Sequence, residues 1–203
     1  MKIVRHIAAA ALAAASITAG AAPVFFSTSA SALTGGTGYG NDGNGAGGDL
    51  LGVTFATIAG AHTATLSAGQ SFTFNFGTIT LNESIIGANE RDNLDVSAQF
   101  SFTDPLAGLR TVTATGTAVF GLVNGDADVD YSIDWNDLVV GFGNGGSFLI
   151  SLADLSFTAT GAQTQTATIS LRAEPTASVP EPSTIALAGL ALLGLAGGAR
   201  RRR

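Results

Sequence analysis

From Leu50 onward the chain alternates between apolar and polar positions. Phe72, Phe74 and Phe76 are separated by Thr73 and Asn75, and Leu94, Val96, Ala98, Phe100 and Phe102 by Asp95, Ser97, Gln99 and Ser101. Val112 to Phe120 repeats the pattern against Thr111, Thr113, Thr115 and Thr117, and Val129, Tyr131, Ile133 and Trp135 repeat it against Asp128, Asp130, Ser132, Asp134 and Asn136. Phe148-Leu149-Ile150, Leu155 with Phe157, and Ala167, Ile169 and Leu171 close the series. A period of two places successive side chains on opposite faces of an extended strand, whereas a helix repeats at 3.6. Asp104-Pro105 to Gly108, Asn124-Gly125-Asp126 and Asn144-Gly145-Gly146 supply turns between the runs. Eight to ten short strands, each with one apolar face, predict an all-β fold. The expected architecture is an antiparallel two-sheet β-sandwich, jelly-roll-like, with a closed barrel as the competing form. Asn136 to Val140 offers a helical turn at most.

The two ends follow different rules. Lys2 and Arg5 precede an Ala/Ile/Leu-rich run from Ile7 to Ala22, and Ser27 to Ala32 ends in the small-x-small pattern Ala30-Ser31-Ala32. Charge, apolar core and small residues in that order predict a secretory signal peptide, helical in its core and cut by signal peptidase after Ala32. At the other end Val179-Pro180-Glu181-Pro182-Ser183 is extended, because each proline removes a donor and restricts the residue before it. The uncharged run 185–198 would span about 21 Å as a helix, short of the roughly 30 Å of a bilayer core. Arg200, Arg201, Arg202 and Arg203 would hold its end on the cytoplasmic side.

Val-Pro-Glu-Pro-Ser followed by a short Leu/Ala/Gly helix and terminal arginines resembles the PEP-CTERM sorting signal of Gram-negative bacteria, also described as the ice-binding protein C-terminal domain. The resemblance covers residues 179–203 only. It implies recognition by an exosortase, a membrane-embedded transpeptidase-like cysteine enzyme, with removal of the tail near Pro180–Pro182. The implied route is an inner-membrane-tethered precursor, then release to the cell surface or extracellular matrix. The expected division is a signal peptide (1–32), a Gly-rich flexible lead (33–49), a β-sandwich passenger (50–174) and a sorting segment (175–203) whose transmembrane helix is 185–198.

Removing both ends changes the charge picture. The whole 203-residue chain carries −6, but residues 33–178 hold three arginines, no lysine and 14 acids, a net of −11. That balance excludes a nucleic-acid binder, which needs a basic footprint. The absence of cysteine excludes disulfides, thiolate metal sites and a cysteine nucleophile. His62, the passenger's one histidine, stands in an alternating stretch with no Gly-x-Ser-x-Gly elbow anywhere, so a hydrolase triad finds no support.

Two segments carry candidate chemistry. Gly35 to Asp49 resembles one copy of the Gly-Gly-x-Gly-x-Asp repeat of RTX proteins, but that architecture needs several stacked copies. Its glycine content predicts a flexible lead instead. Asp126 to Asp137 holds five of the passenger's acids: Asp126, Asp128, Asp130, Asp134 and Asp137. Counted as a twelve-residue calcium loop, its oxygens fall at positions 1, 3, 5, 9 and 12, yet Tyr131 occupies position 6, where the loop requires glycine. The strand reading competes, and on it Asp128, Asp130 and Asp134 share one outward face. Either reading makes these five carboxylates the candidate Ca²⁺ ligands; no other cofactor is expected.

The expectation is a non-enzymatic, exported surface or matrix protein with a structural or adhesive role, contacting exopolysaccharide or other matrix proteins in a biofilm. The alternative is a small carbohydrate-active enzyme, or a calcium-dependent glycan-binding module, working through Asp126–Asp137.

Overall fold

The computed structural model describes residues 22–43 and 48–176. The expected signal helix, the motif Val179–Ser183, the membrane helix 185–198 and Arg200–Arg203 lie outside the described residues. Among the described residues every regular element is a strand, and no helix is long and apolar enough to cross a membrane.

Thirteen strands follow in chain order: Val24–Gly35 (β1), Val53–Thr57 (β2), Ala61–Leu66 (β3), Ser71–Leu81 (β4), Ile85–Ile86 (β5), Asp95–Asp104 (β6), Gly108–Ala118 (β7), Gly121–Leu122 (β8), Tyr131–Trp135 (β9), Leu138–Phe142 (β10), Gly146–Leu152 (β11), Leu155–Phe157 (β12) and Gly161–Ala173 (β13). They form a six-stranded sheet, ordered β12-β9-β7-β6-β1-β3, and a five-stranded sheet, ordered β10-β11-β13-β4-β2, with β5 and β8 paired as a small ribbon. Pairing is antiparallel throughout these sheets. Both sheets are strongly curled, each a half-barrel, so the architecture lies between the flat sandwich and the closed barrel. Asn136–Val140, expected to turn, runs into strand β10 instead.

The period-two pattern is visible in burial. In β6, Val96, Ala98, Phe100 and Phe102 are buried while Ser97, Gln99 and Ser101 are half-exposed. Aromatic rings join the two sheets. Phe26 of β1 meets Phe148 of β11 edge-on at 5.2 Å, and Phe100 of β6 meets Phe76 of β4 at 4.6 Å. Trp135 donates its Nε1–H to Oε1 of the fully buried Gln165, 3.1 Å away, and Gln165 Nε2 donates to Ala153 O. Every polar atom of that crossing is thus satisfied where leaving one unpaired would cost about 1–3 kcal/mol.

Strand β1 runs across the expected leader boundary. Ala30 pairs with Phe100 and Ala32 with Gln99, both inside the β1–β6 ladder. On its other side Val24 to Ser29 pair with β3. Val24, Phe26 and Thr28 are buried at every second position, which is strand periodicity written partly in small residues. A cut after Ala32 would remove an interior strand from the six-stranded sheet and strip Phe26 from the aromatic core. The folded domain therefore begins at Val24, not at Leu50.

The Gly-rich lead is also built rather than free where it is described. Gly36 N–H donates to Asp95 O at 2.7 Å, and Leu51 N–H to Gly38 O at 2.8 Å. Tyr39 O–H donates to Leu94 O at 2.9 Å and shares a 2.8 Å hydrogen bond with the Tyr131 hydroxyl. Gly38 is needed for close approach, since a Cβ there would collide with the Asp92 carbonyl.

Candidate functional site

The acidic run 126–137 does not assemble as a site. Only Tyr131–Trp135 is strand, so the alternation breaks at its start: Val129 is exposed and Asp130 is buried. Asp128, Asp130 and Asp134 consequently share no outward face. Asp126 and Asp128 lie in the β8–β9 loop, where Asp126 Oδ1 accepts the Asp128 N–H at 2.9 Å. Asp134 projects to solvent from β9, and Asp137 is exposed in the β9–β10 turn. The calcium-loop reading fails at the residue that argued against it, because Tyr131 is fully buried and stacks on Phe157. Asp130 Oδ2 is buried without a partner. Burial, then the charges of Asp126 and Asp128, raise its pKa above the ordinary aspartate value.

His62 is half-buried on β3 and stacks on Phe74 of β4, ring centroids 4.1 Å apart.

Among the described residues, three carboxylates do converge: Asp42, Glu83 and Glu90, each with an oxygen within 4.8 Å of the others. They come from three connections. Asp42 lies between β1 and β2, Glu83 follows the end of β4, and Glu90 lies between β5 and β6. Glu83 and Glu90 are each only 1% exposed, and Asp42 opens to solvent.

Backbone amides hold all three in place. Asp42 Oδ2 accepts the N–H groups of Asp49, at 2.7 Å, and Leu50, at 2.9 Å. Glu83 Oε2 accepts the Gly52 N–H, and Glu90 Oε2 the Gly87 N–H at 2.7 Å. Each carboxylate thus spends one oxygen on the loops it joins. Among the described residues Glu90 Oε1 is buried with no hydrogen-bond partner. Its free direction is set by Gly48, where an added Cβ would stand 2.5 Å from Glu90 Oε1 and 2.6 Å from Asp42 Oδ1. The two oxygens therefore look into the same small space.

Among the described residues no counter-charge enters it. Arg91, next to Glu90 in sequence, is exposed and donates its Nε–H to Ala88 O. Burial raises the Glu83 pKa above the ordinary glutamate value against the lowering effect of the Gly52 N–H, and the charges of Glu90 and Asp42 raise it further. A hollow of about 170 Å³ beside Asp42 and Glu83 is lined by Gly52, Thr54 and Asn82 as well. An all-oxygen donor set with no imidazole or thiolate suits a hard cation rather than zinc or copper.

No run of sequence marks these three acids, and only the fold unites them. The available signal was negative: Glu83 and Glu90 have no lysine near them in a chain segment without any.

The protein-family profile described as the PEP-CTERM protein-sorting motif matches residues 178–203. That motif marks an exported protein, processed by exosortase and sorted toward the cell surface. No curated protein and no solved structure matches the chain significantly.

Proposed function

We propose that the chain is a structural or adhesive component of the bacterial surface or exopolysaccharide matrix, delivered by exosortase and without catalytic activity of its own. The observation that carries this reading is the sorting motif at residues 178–203. It gives the curled β domain a destination, and the surface of that domain suits the role. Thr34 of β1, Ser97 of β6 and Thr113 of β7 are direct register partners, a row of hydroxyls across three strands. With Asp95, Thr115 and Asn136 they line a shallow groove of about 410 Å³. Hydroxyl, amide and carboxylate groups on a rigid sheet are what a polysaccharide's hydroxyls can hydrogen-bond. The passenger's single histidine is occupied in stacking on Phe74, which favours a non-catalytic role.

The leader of this export route ends earlier than Ala32. Ala19-Gly20-Ala21 offers small-x-small spacing ahead of Val24, so cleavage after Ala21 leaves β1 whole. In the native host the mature protein is expected on the surface with its N-terminus near Ala22 and without the tail beyond Pro180. Deleting the exosortase is expected to leave a membrane-bound precursor. Unchanged sorting in that strain, or an N-terminus at Leu33, would overturn the corresponding part. For the ligand, binding of the exported protein to the host's own exopolysaccharide should weaken on Ser97→Val with Thr113→Val; release of reducing sugar would instead make it an enzyme.

A further inference from the structure

We propose that Asp42, Glu83 and Glu90 form a binding site for one divalent calcium ion, which locks the β1–β2 connection onto the β4–β6 connections of the exported domain. Three observations carry it independently of the surface role. The first is convergence: three carboxylates from separate loops meet within 4.8 Å, two of them 1% exposed. The second is the Glu90 Oε1 atom, buried, without a partner, and aimed at the space it shares with Asp42 Oδ1 over Gly48. The third is the scaffold, in which every carboxylate is already fixed through its other oxygen by backbone N–H groups. Preorganised ligands need no rotamer ordering when the ion arrives.

Elementary electrostatics requires a partner for such a group. Like charges gathered where two of the three are shielded from water repel, and a cation relieves that repulsion. Calcium suits the role. It takes six to eight oxygens at about 2.3–2.6 Å in irregular geometry, whereas magnesium demands a near-ideal octahedron at about 2.0–2.1 Å. Three side chains leave positions open for water, and a hollow bordered by Thr54 and Asn82 adjoins two of them, Asp42 and Glu83. Gly48 keeps the space clear, since any side chain there would enter it. An extracellular module needs only weak affinity, because Kd values of about 10⁻⁴–10⁻³ M serve where calcium is millimolar.

The test uses the full chain in mild detergent, stripped with EDTA and titrated with calcium chloride, with magnesium chloride as the comparison. Equilibrium dialysis with elemental analysis is expected to find one calcium per chain. Millimolar calcium is expected to raise Tm by about 1–6 °C over EDTA, the range that binding to the folded state alone gives for those affinities. Glu90→Gln and Asp42→Asn should each weaken binding at least tenfold, and Gly48→Ala should do so by filling the space. Asp134→Asn should leave it unchanged. In EDTA, Glu90→Gln should melt no lower than the unsubstituted protein, because it removes repulsion; that measurement separates a lost ligand from a damaged fold. Absence of bound calcium at millimolar concentration, or binding that survives Glu90→Gln and Gly48→Ala, would overturn the proposal.

Discussion

Two acidic regions of this domain invert each other. Asp126–Asp137 is dense in sequence yet, among the described residues, brings no three carboxylates to one point; Asp42, Glu83 and Glu90 are scattered in sequence and gathered in space. The difference is geometric. A strand sends alternate residues to opposite faces, and a loop at its end turns neighbours apart, so five acids in twelve residues need not meet. Three loops at one end of two curled sheets can each deliver a single oxygen to one point. Local acid density is therefore weaker evidence for a cation site than acids at the ends of strands that the topology makes neighbours.

The largest effect is expected at Glu83. Glu83→Ala removes a ligand and leaves the Gly52 N–H without its acceptor. It should cost about 2–3 kcal/mol in urea unfolding with calcium present, and an exposed acid of the other region should not approach that value.

The second effect concerns pH. Glu83 and Asp130 both have raised pKa values in the folded state, so the fold holds protons that the unfolded chain has released. Their favourable contribution is complete below the unfolded carboxylate pKa and is lost as pH rises through the folded value. Calcium-free protein should thus become more stable as pH falls through the raised carboxylate pKa values, and the increment in Tm from calcium should shrink over the same interval. Thermal melts across pH in EDTA and in calcium check both signs. A flat EDTA profile would deny that the buried acids are under strain.

Third, Asp130→Asn removes a buried, unpartnered charge and should stabilise by about 1 kcal/mol, equally with and without calcium. Calcium dependence of that gain would move the cation site to the dense region. Smallest of all, Asp134→Asn should stay within about 0.5 kcal/mol, as exposed substitutions usually do.

Most of the fold was legible because its strands are written in bulky residues. Phe72 to Phe76, Val96 to Phe102 and Ala167 to Ile169 announce β4, β6 and β13 by period alone. Strand β1 was hidden because Ser27 to Ala32 is made of small residues, which satisfy both a signal-peptidase pattern and a closely packed strand. The Gly-rich segment misled for a related reason. Glycine permits flexibility, but at Gly38 and Gly48 it permits close approach, and composition cannot distinguish the two. The acids of the candidate site were invisible for want of any local pattern, since the loops that carry Asp42 and Glu83 are brought together by the long-range pairing of β2 with β4.

The hydrogen bond between the two phenols gives the domain an optical gauge. Tyr39 and Tyr131 are the chain's only tyrosines, and one of them lies in the very connection that also carries Asp42. Burial lifts the Tyr39 phenol from its ordinary 10 to about 12 and raises Tyr131 as well. Between those limits an unfolded chain surrenders protons that the folded one keeps, so stability declines as pH climbs through the interval. Phenolate absorbance emerging near pH 10 therefore counts molecules whose β1–β2 connection has come loose, and the shift of that signal with added ion reads the loop's docking without any label.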